Sequence, residues 1–158
     1  MEISFYLHGD SNGGFYDEAF FADDTDPAAT FALCRRGEGG VELTNDATGA
    51  SIIVDDLTDF VIEGLCLDGA AALLRGESHK FSGFLQTSGL VIDNDGKTAS
   101  TSDRGLDLIE APADEFAAAM LACAGRFADL LERVAKSDPN QQGTAETIRA
   151  RISEISGV

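Results

Sequence analysis

Residues 112–136 read PADEFAAAMLACAGRFADLLERVAK, and this stretch decides the fold class. Phe116, Met120, Cys123, Phe127, Leu130 and Val134 recur at steps of four, three, four, three and four, the period of one helix face. Pro112 suits the first turn, Asp114 and Glu115 complement the positive end of the helix dipole, and Arg133 and Lys136 complement the negative end. The spacing therefore predicts a long amphipathic helix over 113–136. Ser137-Asp138-Pro139-Asn140 ends it, and the narrower stripe Ala145, Ile148, Ile152 and Ile155 predicts a terminal helix capped by Thr144.

Upstream of that helix the period is mostly two. Ile3, Phe5 and Leu7 alternate with Ser4, Tyr6 and His8 as in a half-buried strand, a turn follows over 9–14, and Phe15 to Phe21 resumes the pattern as a hairpin partner. An acidic, proline-bearing connection holds Asp23, Asp24, Asp26 and Pro27. Residues 37–40 read as a glycine-rich turn, and 41–44 with 51–54 read as a second hairpin. After Val54 the period lengthens. Leu57, Phe60, Val61, Gly64 and Leu65 predict a helix over about 56–75, capped by Asp55 and Asp56 and weakened by Gly64 and Gly69, with a break expected near Asp68-Gly69. Asp93-Asn94-Asp95-Gly96 supplies a tight turn between strands at 81–92 and 98–102, and 106–109 is a last strand. The expected architecture is one α+β domain: an antiparallel sheet built from hairpins in a strand-rich part (1–110), packed on one face by helices (111–156).

The 158 residues carry 28 acidic and 11 basic side chains, a formal net charge of −17. That sign excludes direct binding to nucleic-acid phosphates and to anionic membranes, and it favours a basic protein partner. The charge is uneven: residues 1–60 hold 13 acids and 2 bases, whereas 104–158 hold 9 and 6. The opening Met1-Glu2-Ile3-Ser4-Phe5 is not a secretory signal, and the longest apolar run, 116–125, is about half of the ~20 residues a membrane span needs, so a cytoplasmic protein is expected.

Motifs for chemistry are sparse. Cys34, Cys66 and Cys123 are widely spaced and show neither disulfide nor zinc patterning; His8 and His79 sit in no nucleophile–base motif. A calcium loop aligned on Gly96 would place Val91 and Ser102 where carboxylates are required, and Gly96-Lys97-Thr98 lacks the upstream glycine of a phosphate loop. No enzyme activity, cofactor or metal is expected. What remains is acidic surface, Asp23, Asp24 and Asp26 with Asp55, Asp56 and Asp59, and the aromatic anchors Phe15, Tyr16 and Phe20.

With its Phe- and Tyr-rich opening strands, its acidic start Asp55-Asp56-Leu57-Thr58-Asp59-Phe60 and its late entry Ala111-Pro112-Ala113-Asp114-Glu115-Phe116 into an alanine-rich helix, the chain resembles the small acidic immunity proteins that bacteria make against their neighbours' toxins. The resemblance, one of architecture and charge, implies a cytoplasmic inhibitor that plugs a toxin's active or binding surface through those acids and aromatics. Mimicry of nucleic acid against a nuclease or defence complex, an enzyme or metal module, and adaptation to a salt-rich cytoplasm are the alternatives.

Overall fold

The alternation of Ile3, Phe5 and Leu7 becomes strand β1 (Glu2–His8), which pairs antiparallel with β2 (Phe15–Asp17) on one side and β3 (Glu38–Asn45) on the other. β4 (Ala50–Leu57) completes a sheet of order β2-β1-β3-β4. The structure, a computed structural model, describes residues 1–9, 14–22, 37–85, 89–136 and 139–157, together with Ala32 and Cys34. The register aligns Ile3, Leu43 and Ile52, and likewise Phe5, Val41 and Val54, so one face of the sheet is a continuous buried surface.

Two readings of this half change. The strand expected through Phe21 stops at Asp17, whose Oδ1 accepts the Phe20 N–H at 3.1 Å and caps helix α1 (Glu18–Ala22). The glycine run continues β3 instead of turning. A Cβ on Gly40 would lie 1.8 Å from the Val54 carbonyl oxygen, and one on Gly39 would lie 2.2 Å from that of Tyr6, so only glycine lets these three strands approach.

Helix α2 (58–74) follows directly. Asp55 and Asp56 belong to β4 and do not cap it; its first turn is fixed by the Thr58 N–H donating to the Gly37 carbonyl at 2.8 Å. The helix does not break at Asp68-Gly69. Its six residues Ile62–Leu67 are wound in the wider π form, and Gly64 lies there because a Cβ would come 2.9 Å from the Phe81 ring.

The remaining strands, β5 (His79–Ser82), β6 (Gly89–Asn94), β7 (Thr98–Asp103) and β8 (Leu106–Pro112), form a second antiparallel sheet in sequence order. The eight strands thus divide between two sheets because α2 intervenes after β4, and β8 packs against β3 and β4. At the β6–β7 turn Asp95 Oδ1 accepts the N–H groups of Lys97 (2.9 Å) and Thr98 (2.8 Å), which hold its carboxyl below the usual aspartate range.

Helix α3 (Ala113–Val134) buries all six residues of the expected stripe, and Phe127 meets the Phe5 ring edge-on at 5.3 Å. Helix α4 (Pro139–Ser156) starts five residues before Thr144, since Pro139 suits a first turn, and buries Ala145 and Ile148. The fold is α+β, with buried residues of both sheets and of α2, α3 and α4 in one core cluster. Among the described residues no helix is long and apolar enough to cross a membrane.

β2 is too short to cover the first half of β1, and side chains finish the edge. Glu18 Oε1 accepts the Phe5 N–H at 3.0 Å, and Arg126 Nη2 donates to the Ile3 carbonyl at 2.6 Å. The two side chains are themselves paired, Arg126 Nε to Glu18 Oε2 at 2.7 Å. Arg126→Ala is expected to cost about 1–2 kcal/mol in urea unfolding and to increase self-association, because it bares a strand edge. Arg126→Lys, which keeps the charge without the fork, should recover only part of the loss.

Candidate partner-binding surface

The side chains that alternate away from the core define the outer face of the first sheet. In register they run Phe15–His8, then Asp17–Tyr6–Gly40–Asp55, then Ser4–Glu42–Ile53. At the centre Tyr6 is only 1% exposed although it points away from the core. Gly40 opposite it has no side chain, and the Tyr6 hydroxyl lies over it: a Cβ there would be 3.0 Å from that oxygen. Phe15, 48% exposed, stacks on the Tyr6 ring at a centroid distance of 4.3 Å. His8 Nε2 lies 2.9 Å from both carboxylate oxygens of Asp55, in position to donate to them. Burial first, and then the negative charge of Asp55, push the Tyr6 phenol far above its ordinary value of 10.0. The Asp55 carboxylate also faces the Tyr6 hydroxyl and favours its protonated form.

A second feature adjoins the end of β4. Asp56, 3% exposed, turns inward, where Oδ1 accepts the Leu57 N–H at 2.6 Å and Oδ2 the Leu85 N–H at 3.0 Å. This bond holds the start of the β5–β6 connection against α2. It leaves Phe60 and Phe84, 50% and 70% exposed, edge to face with ring centroids 6.1 Å apart. Beside them a cleft of about 400 Å³ opens between α2 and β5, lined by Phe60, Glu63, Gly64, Asp68, His79, Lys80, Phe81 and Ser82. His79 Nε2 donates to the Gly64 carbonyl at 2.7 Å, a carbonyl in the wide part of the helix. Asp59 rises above the usual aspartate range through desolvation and then through the Glu63 carboxylate one turn on.

Of the residues expected to contact a partner, Phe15 and Asp55 meet on the open face of the first sheet, joined through Tyr6 and His8. Asp59 lies instead beside Phe60 on α2, and Asp56 is a buried positioning residue. Tyr16 and Phe20 meet each other in a tilted contact, ring centroids 4.6 Å apart; Tyr16 is half-buried against Gly9 and Gly14, while Phe20 remains exposed. Asp23, Asp24 and Asp26 lie outside the described residues. Tyr6, Glu42, Phe84 and the cleft were not singled out from sequence. Register alone places Glu42 on the same face as Asp55, opposite Ile53, once β3 and β4 are paired, but the exposure of Phe84 depends on the distant Asp56.

His8 Nε2 faces Asp55 and His79 Nε2 faces the Gly64 carbonyl. The Cys66 thiol beside it, and then burial, push the Cys123 thiol well up, so Cys123 stays protonated. Among the described residues no three His, Cys, Asp or Glu side chains converge as metal ligands. The chain matches no family model, no curated protein and no solved structure.

Two stability measurements follow from this geometry. Tyr6 keeps its proton in the fold at a pH where the unfolded chain loses it, so folding weakens as pH rises above about 10. Relative to Tyr6→Phe, the parent protein should lose about 1.4 kcal/mol per pH unit between pH 10 and 12 in urea unfolding, with the two alike near neutrality; parallel curves would show that Tyr6 titrates normally in the fold. Asp56→Ala, which strands two backbone N–H groups, should cost about 2–3 kcal/mol.

Proposed function

We propose that the protein is an acidic cytoplasmic binding protein, an immunity protein that inhibits a cognate bacterial toxin by covering its active or binding surface. The observation that carries this reading is the open face of the first sheet, which presents Asp17, Glu38, Glu42 and Asp55 on the same side as the half-exposed Phe15 at its β2 edge. Carboxylates on the same face as an exposed aromatic suit a basic partner: the charges steer encounter and set its rate, and the ring is the kind of anchor that slows dissociation. The helices support the same assignment by contrast. Arg126 pairs with Glu18, Arg149 with Glu132 and Asp129, and Arg151 with Asp68, so these arginines are engaged within the fold, away from the open sheet face.

The test is capture of a partner from the source organism's lysate on the tagged protein at physiological and at high salt, followed by co-expression with the captured protein in a sensitive cell. A single basic protein should be retained, released by salt, indifferent to added duplex DNA, and harmless to cells that also make this chain. The triple variant Asp17→Asn, Glu38→Gln, Asp55→Asn should associate about tenfold more slowly with a flatter salt dependence. Equal association by the variant overturns the face as the docking surface. Release by duplex DNA would replace toxin inhibition with nucleic-acid mimicry, and a captured protein that is harmless by itself removes the immunity role.

A further inference from the structure

The cleft beside the wide turn of α2 is separate from the open sheet face and has a chemistry of its own. Its apolar side is Phe81 below and the exposed Phe60 at the rim, with Phe84 standing edge-on to Phe60. Gly64 keeps it open, because any Cβ there would run into Phe81. Asp68 is neutralised by Arg151 at 2.7 Å, and the His79 ring is tied to the Gly64 carbonyl. Of the lining carboxylates Glu63 remains, with Asp59 one turn before it on the same helix face just outside the cleft; among the described residues neither forms an ion pair. Like charges at this spacing destabilise a helix, and a cation placed between them reverses the sign. One cation, Lys80, lines the β5 side.

We propose that this cleft receives an arginine side chain of the basic partner, with the guanidinium over the Phe60 ring and its N–H groups donating to Glu63. The inference rests on the reading of the protein as a binder of a basic partner and adds where that partner's side chain inserts. Arginine fits better than lysine on two grounds. Its planar group stacks on an aromatic face while its fork engages a carboxylate, and it is more weakly hydrated, so a half-enclosed cleft costs it less. Its aliphatic stem covers the apolar surface that Phe60 and Phe81 leave at the mouth. Lys80 opposes entry from the strand side and directs the guanidinium toward α2.

The probe is N-acetyl-arginine-N′-methylamide, titrated into the isotope-labelled full chain and followed by backbone amide shifts. Saturable changes should centre on Phe60, Glu63, Gly64 and Phe84, with the lysine analogue several-fold weaker and the norleucine analogue silent. Glu63→Gln and Phe60→Ala should each weaken the arginine analogue about tenfold, and Lys80→Gln should tighten it about twofold. All three side chains line the rim, so the rest of the amide spectrum should stay in place and report an intact fold. Shifts spread evenly over the acidic surface, or a response unchanged in Glu63→Gln, overturn the assignment. Because the titration needs no partner protein, its failure leaves the open sheet face standing. A positive titration with no basic partner captured would instead leave the cleft as a guanidinium site and remove the inhibitor role.

Discussion

Everything in this fold is arranged around a helix that must be covered on most of its circumference. α3 is 22 residues long and buries Phe116, Met120, Phe127, Leu130, Leu131 and Val134 together with Ala117, Ala124 and Ala128. Neither four-stranded sheet could do this alone: the first takes Phe127 against Phe5, while β7 and β8, α2 and α4 take the other sides. The alanines set the distances, since a small residue at the contact lets neighbouring elements approach the helix axis closely. Large residues at those positions would push α2 and α4 outward and open the core that holds the two sheets together.

The same constraint explains which elements could be read from sequence. α3 announces itself because its stripe, its charged ends and its boundaries all agree, and β1, β4 and the later part of β3 do so because one buried face places apolar residues at every second position. The failures occur where a side chain acts over a distance that no local pattern contains. Asp17 stops β2 by capping, although Tyr16, Phe20 and Phe21 continue an aromatic pattern that fits a strand. Asp56 looks like a helix cap beside Asp55, but its second oxygen is claimed by Leu85, 29 residues further on. The candidate surface was legible in part for the same reason: Asp55 and Phe15 stand out as acid and aromatic, whereas their meeting through Tyr6 and His8 depends on the pairing of three strands. Phe60 sits in a helical stripe with Val61 and Leu65, yet it is the member of that stripe that faces solvent.

Charge is distributed by the same division of labour. The helices use their arginines inside the fold, two of them across the α2–α4 and α3–α4 contacts, Arg151 to Asp68 and Arg149 to Glu132. Arg126 closes the edge of β1. The sheet face presents Asp17, Glu38, Glu42 and Asp55, the last of them bonded to His8, so acid there is a property of the strands and not an average over the molecule.

The wide turn in α2 carries one further consequence, concerning phase. A single residue more than an α-helical turn requires rotates everything after it by about 100° relative to everything before it. The first turn, with Thr58 and Val61, packs on β3 and β4; the last, with Ala70 and Leu73, packs on α3 and β5. One continuous helix thereby serves two layers that face it from different directions, and the offset between them is set by the length of the segment Ile62–Leu67. In this helix, residue count is a geometric quantity: removing one position there would return the backbone to regular winding and turn Leu65, Cys66 or the whole later face out of the core. Substitutions within 62–67 can be absorbed by repacking, but insertions and deletions cannot, so the length of this segment is more tightly constrained than its composition.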